Sequence, residues 1–286
     1  RVVTFSPDGT YLVSGHKETI RVWKVEDGNW QTTTILETSS ALCLSVTVSN
    51  DGKWIAAGTA WGWVFAWDAT TFEKVFAHTV DHYYGNNGVD FSPDATRLVS
   101  ASDNSKATVW DVATGDQVLT LRNNEALRAA KYSPQGDRIV TATGKSVRVW
   151  DSNDGRLLVD IKVDVTPLHN TGLLWYNDHL FVVSDDQINE FVASTGSSVS
   201  ELPVSRSTEN SCIALLDDGN VIAHSTNHAI TFWHTSTRSQ LAVIQDPQEI
   251  QSIAFPPDDN FLAIGGDHFN ISVKVLSRIT VSVVFR

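Results

Sequence analysis

A chain of 286 residues, 42% hydrophobic and 19% charged, is long enough to bury a large core. Its net charge of −12, from 21 basic and 33 acidic residues, argues against general nucleic-acid binding, which needs a positive working surface. No apolar run approaches the roughly 18–20 residues of a membrane-spanning helix, so membrane insertion is not expected.

The opening Arg1-Val2-Val3-Thr4-Phe5 lacks the charged start and apolar stretch of a signal peptide. With no Met anywhere, the chain is expected to begin inside a longer product or to have been processed. Two cysteines, Cys43 and Cys212, cannot form a disulfide framework in a chain of this length. Their apolar settings point to buried reduced thiols and an intracellular setting, cytoplasmic or nuclear.

Phe5-Ser6-Pro7-Asp8-Gly9 comes first, a turn in which Pro presets φ, Asp bonds nearby backbone and Gly takes positive φ. Apolar runs Tyr11–Gly15 and Ile20–Trp23 follow with strand-like alternation, and a further strand is expected near Thr32–Leu36. The pattern returns as Ser49-Asn50-Asp51-Gly52 with Trp63–Asp68. It returns again as Ser92-Pro93-Asp94-Ala95 with Lys106–Asp111, and as Ser133-Pro134-Gln135-Gly136 with Val147–Asp151. Three looser copies centre on Asn177-Asp178, Asp217-Asp218-Gly219 and Pro256-Pro257-Asp258-Asp259.

Two anchors measure the period. The residue opening each turn (Phe5, Val48, Phe91, Tyr132, Trp175, Leu215, Phe255) advances by 43, 43, 41, 43, 40 and 40. The residue closing each later strand (Trp23, Trp67, Trp110, Trp150, Phe191, Trp233, Val275) advances by 44, 43, 40, 41, 42 and 42. Four short strands per unit, seven units and no covering helix leave sheet edges that radial closure would hide, which predicts an all-β, seven-bladed propeller of four antiparallel strands per blade. One domain spans 1–286, with blades near 1–40, 41–84, 85–124, 125–165, 166–207, 208–247 and 248–286. The apolar segment Ile279–Phe285, with Val281–Phe285 at its end, is expected to complete the last blade as its outermost strand. Closure would then rest on contact between blades seven and one without strand exchange.

The Ser-Pro-Asp-Gly-type turns and the Trp-Asp pairs at 67–68, 110–111 and 150–151 resemble those of WD40-repeat (transducin-like) propellers across essentially the whole chain. Blades of that family often link a His before the innermost strand and an Asp in the later hairpin to a Ser and the Trp. Here the matching His is His82, with His78 competing, and Asn104 holds the hairpin place beside Asp103. The resemblance therefore implies at most one weakened tetrad, in unit three, and blades held mainly by apolar packing.

Chemistry-bearing groups are sparse. Asp185-Asp186, Asp217-Asp218 and Asp258-Asp259 fall at expected turns, where Asp bonds backbone, and lack calcium-loop spacing. His78 and His82, and His224 and His228, lie four apart, a spacing that gathers metal ligands on helices but not on strands. No nucleophile elbow, phosphate loop or dinucleotide fingerprint is present. Neither a metal nor a cofactor is expected.

Aromatic loops carry more. Trp61-Gly62-Trp63 lies in the hairpin of unit two and His82-Tyr83-Tyr84 in the connection before unit three, so Trp61, Trp63, His82, Tyr83, Tyr84 and Asp103 form a candidate partner-binding set on one face. The competing reading packs Trp63 between blades. Residues Val163–Asp246 hold 2 basic and 10 acidic residues, and Arg122–Lys162 hold 8 basic and 5 acidic. The acidic arc around Asp185, Asp186, Asp217 and Asp218 could receive a basic segment of a partner, or simply aid solubility. The expected function is a non-catalytic WD40 scaffold binding a protein or peptide on one face, with the sensor module of a larger multidomain protein as one setting for it. The alternative is a lactonase- or dehydrogenase-like propeller enzyme with a small-molecule site at the channel mouth.

Overall fold

The structure is a computed structural model that describes residues 2–26, 29–38, 41–79, 84–163, 172–184, 186–205, 211–216, 219–266 and 270–276. Blade one is β1 (Val2–Phe5), β2 (Tyr11–Gly15), β3 (Thr19–Glu26) and β4 (Asn29–Glu37). Blade two is β5 (Cys43–Val48), β6 (Trp54–Thr59), β7 (Trp63–Asp68) and β8 (Lys74–Thr79). Blade three is β9 (Asn86–Phe91), β10 (Arg97–Ser102), β11 (Lys106–Asp111) and β12 (Gln117–Arg122). Blade four is β13 (Ala129–Tyr132), β14 (Arg138–Ala142), β15 (Ser146–Asp151) and β16 (Leu157–Lys162).

Blade five is β17 (Leu173–Tyr176), β18 (His179–Val183), β19 (Gln187–Val192) and β20 (Ser198–Pro203). Blade six is β21 (Ile213–Leu216), β22 (Val221–Ser225), β23 (Ala229–His234) and β24 (Gln240–Gln245). Blade seven is β25 (Ile250–Ala254), β26 (Phe261–Gly266) and β27 (Ile271–Val275). Each blade is an antiparallel meander, four-stranded in blades one to six and three-stranded among the described residues of blade seven. The expected fourth strand of that blade, Val281–Phe285, lies outside the described residues.

The first strand of every blade lines a central channel of about 180 Å³. Two ends of the ring follow from the meander. One, the turn face, carries the connections from first to second strand; the other, the hairpin face, carries the second-to-third hairpins and the passage to the next blade. Blade one meets blade seven through a cluster of Val3, Phe5, Leu12 and Ala263 joined by Trp30, Phe261 and Ile271. The Val3 amide also donates to Ser252 Oγ at 3.3 Å.

The turn chemistry reads out as hydrogen bonds. Ser6, Ser49 and Ser92 each donate Oγ to the Asp two residues on at 2.6 Å. The same hydroxyls accept the amides of Tyr11, Trp54 and Arg97, which start the second strands. Gly9, Gly52 and Gly136 take positive φ there, and Ala95 does so in blade three at 59°. The Asp of each Trp-Asp pair accepts two amides of the next turn, as Asp68 does from Thr70 and Thr71 and Asp111 does from Ala113 and Thr114. These bonds hold the Asp68 carboxyl below its usual range.

A β-bulge recurs in the outermost strand of blades one to six, beside the residue that holds the Trp place. One extra residue adds twist and blunts an edge that could otherwise pair with another chain. Register also corrects the ruler in blade seven: Lys274, not Val275, stands opposite Leu262, where Trp110 stands opposite Leu98 in blade three.

Candidate functional site

On the hairpin face, Trp61 sits at the tip of the β6–β7 hairpin, which turns on Gly62 at a φ of 77°. Of the chain's ten Trp residues it is the single exposed one, at 64%. Tyr84, 44% exposed, lies in the passage from β8 to β9. Its neighbour Gly85 approaches blade three closely: a Cβ there would stand 3.1 Å from Leu44 Cδ1 and 3.2 Å from Asp103 Oδ2. Backbone bonds lock the surface, with the Asp103 amide donating to Gly85 O at 2.9 Å and the Ala60 amide to Leu42 O at 2.9 Å.

Asp103 joins blades three and four. Its Oδ1 accepts from Asn87 Nδ2 at 2.7 Å and from Arg128 Nη1 at 3.3 Å. Asn87 also donates to Leu127 O at 2.8 Å. Asn104, the expected tetrad residue, instead shapes its own hairpin by accepting the Lys106 amide at 3.0 Å.

Trp63 is half-buried in blade two. One step into β7, it stacks on Phe65 at 5.7 Å, and Phe65 stacks on Trp67 at 5.3 Å. The face therefore brings Trp61, Tyr84 and Asp103 to one side of the ring and turns Trp63 into blade two. His82 and Tyr83 lie outside the described residues, as do Asp185, Asp217 and Asp218. Asp186, exposed in the β18–β19 hairpin, shares the hairpin face, while the ends of β21 and β22 that flank 217–218 lie on the turn face.

Trp-to-hydroxyl bonds are more widespread than the single tetrad expected. Trp23 Nε1 donates to Ser14 Oγ at 2.7 Å, Trp110 Nε1 to Ser100 Oγ at 2.9 Å, and Trp150 Nε1 to Thr141 Oγ1 at 2.8 Å. In blade one the chain continues from Ser14 to His16 Nε2 at 2.9 Å, and in blade four Thr141 donates to Asn123 Oδ1 at 3.2 Å. A hydroxyl residue nine or ten positions before the Trp was the available signal. Burial pushes His16 down to about 4, so it stays neutral in this contact.

The described members of the two histidine pairs, His78, His224 and His228, each meet a separate neighbour. His78 lies flat on Trp110, 5.4 Å between centroids and 3° between planes. His224 bonds Ser211 Oγ at 2.7 Å, and His228 Nδ1 approaches Gln248 O at 3.2 Å. Among the described residues, no group of three or more His, Cys, Asp or Glu is placed to hold a metal ion. Among the described residues the channel wall is made of aliphatic residues with Gly, Ser and Thr, and Lys131 is the one titratable group that lines it. Lys131 reaches Asp90 at 3.8 Å, and burial raises the Asp90 carboxyl above its usual range against that attraction.

Ring, turns and Trp-Asp caps define the class: a WD40-repeat β-propeller. Within it, the chain belongs to the family described as nucleolar protein 10-like, N-terminal domain, which matches residues 1–197. The WD domain, G-beta repeat matches residues 238–273. The chain is 24% identical over 190 residues to the serine-threonine kinase receptor-associated protein of Gallus gallus, covering 64% of this chain and 53% of that one. It thus spans about half the length of that relative. WD repeat-containing protein 1 of Mus musculus is 31% identical over 110 residues, covering 36% of this chain and 18% of that one.

Among solved structures, a chain of the mitotic checkpoint complex superposes with a TM-score of 0.80 at 17% identity, covering 96% of this chain and 86% of that one. The WD40 repeats of RRP9 superpose at 0.79 and 21% identity, covering 93% and 86%. Those likenesses are of fold.

Proposed function

We propose that the chain is a non-catalytic scaffold whose hairpin face, around Trp61, Tyr84 and Asp103, captures a protein or peptide partner. One observation carries the reading: Trp61 is exposed at a rigid hairpin tip while every other Trp is at least partly buried. An exposed indole fixed by its hairpin anchors a contact at little entropic cost. The Asp103–Arg128 pair beside it supplies the polar rim. Among the described residues the channel lining offers one titratable group, Lys131, which supports a binding module over the enzyme alternative, since catalysis needs convergent acids, bases or nucleophiles.

The net charge of −12 supports a partner with a basic segment over a nucleic acid, with Asp186 on the same face as one place to meet it. The family's description as nucleolar and two buried free thiols support an intracellular setting.

The test is paired capture from cell extract by the wild-type chain and by Trp61→Ala/Tyr84→Ala, with thermal melting of both. Two solvent-facing truncations leave the melt essentially unchanged, while loss of two anchoring rings weakens a specific partner by about 2 kcal/mol or more, roughly 30-fold. Equal capture by both proteins refutes the assignment of the face.

A further inference from the structure

In blades one to four the turn between the first and second strands is five residues long: 6–10, 49–53, 92–96 and 133–137. Blade five makes the same connection with two residues, Asn177 and Asp178, by placing Asn177 at a φ of 52°. At two other seams one long turn leans on the next. Pro93 of blade three stands 3.1 Å from where a Cβ of Gly136 in blade four would lie, and Pro256 of blade seven stands 3.5 Å from that of Gly9. Blade four has no such turn to lean on in blade five, and its Pro134 is exposed where Pro7 and Pro93 are half-buried.

An aromatic ring is more open at this seam than in blades one, three and four. Phe5, Phe91 and Tyr132, which open the long turns, are only 6–7% exposed. Trp175 holds the same place opposite Leu180 but is half-buried, with its Nε1 donating to Asn177 O at 2.9 Å. Beside it a pocket of about 290 Å³ opens between blades four and five on the turn face, walled by Trp175, Gln135, Asp137, Arg138 and Asp178. Arg138 spans the two carboxylates loosely, 3.6 Å from Asp137 and 3.8 Å from Asp178, beyond hydrogen-bond length. Ser133 donates to Asp137 Oδ1 and Ser194 to Asp178 Oδ2, and a carboxylate with one such donor keeps further acceptor capacity.

We propose that this pocket receives an arginine side chain of a protein partner, at a site separate from the hairpin face. A guanidinium is planar, stacks on an indole and pairs carboxylates in a fixed fork, which is the chemistry that Trp175, Asp137 and Asp178 offer together. The pocket's charge, two carboxylates against one guanidinium, complements a cation, and the chain's net charge of −12 favours its approach. The contact lies beside a connection that is five residues long in blades one to four and two in blade five.

The experiment titrates the ¹⁵N-labelled chain with acetyl-Gly-Arg-Gly-amide and follows the Trp175 indole resonance, assigned with Trp175→Phe. The arginine peptide shifts that resonance saturably, the lysine peptide binds more weakly, and the glutamine peptide leaves it in place. Asp137→Asn/Asp178→Asn, which keeps shape and hydrogen bonding, weakens binding by about threefold or more. Trp61→Ala/Tyr84→Ala leaves the titration unchanged, so failure here and failure of the hairpin-face reading are distinct results. No shift with arginine, an equal shift with glutamine or lysine, or indifference to the Asp substitutions overturns the proposal.

Discussion

Replacing Trp30 with Ala removes the ring that bridges the first blade to the last. Trp30 lies in the long outer strand β4 and meets Phe5 edge-on at 5.9 Å and 67°, and Phe261 of blade seven at 6.1 Å and 89°. A fully buried Trp costs about 3–5 kcal/mol when truncated, and each edge-on pair contributes about 0.5–1.5 kcal/mol. For a half-buried ring making both pairs, the expected loss is about 2–3 kcal/mol, or a fall in Tm of about 3–5 °C for a chain of this size. Hydrogen exchange locates the effect: amides of β1 and β25–β27 lose protection first, while those of blades three and four keep theirs. Trp30→Phe recovers part of the loss. A Tm change under 1 °C, or exchange that rises evenly around the ring, refutes the view that this seam closes through side-chain packing.

Other consequences follow from buried polar groups and tight approaches. Burial pushes His224, 1% exposed, down to about 4 from 6.5, so below pH 6.5 the unfolded chain takes up a proton that the folded chain refuses. Stability therefore falls with acidification, by about 1.4 kcal/mol at pH 5.5 and about 3 kcal/mol near pH 4 from this group, and denaturant melts of His224→Gln against wild type show a shallower pH slope. His16 adds in the same direction. Thr141→Val keeps shape but leaves Trp150 Nε1 buried without its acceptor, which costs about 1–3 kcal/mol in equilibrium unfolding. Gly115→Ala places a Cβ 2.9 Å from His78 Nε2 and 3.0 Å from Phe76 Cβ at a φ of 76°, and lowers stability by about 1–3 kcal/mol in the same assay.

What the sequence disclosed was the chemistry that each blade performs within itself. Ser92 and Asp94 bond one another two residues apart, and Asp111 caps amides two and three residues on, so fixed spacing repeats wherever the blade repeats. Contacts between blades left no such trace. Asp103 finds Asn87 and Arg128 at separations of 16 and 25 residues, and no local spacing announces them. Trp61 and Trp63 differ by two positions, one on a hairpin tip and one on a strand, and the boundary decided which was exposed. Blade seven slipped by one residue because neither Lys274 nor Val275 carries the indole that marks the place in other blades. The Trp175 pocket was written in the sequence only as a missing stretch of turn, which an alignment on aromatic anchors passes over.

The hairpin-face assignment is tested most directly by site-specific photo-crosslinking in cells, with a benzoyl-phenylalanine at position 61 compared with one at position 94 of the turn face and one at position 118 of the rim. The account predicts a discrete partner adduct from position 61 that Tyr84→Ala weakens, with none of that adduct from positions 94 and 118. The same adduct arising from position 94 or 118, and not from 61, contradicts it.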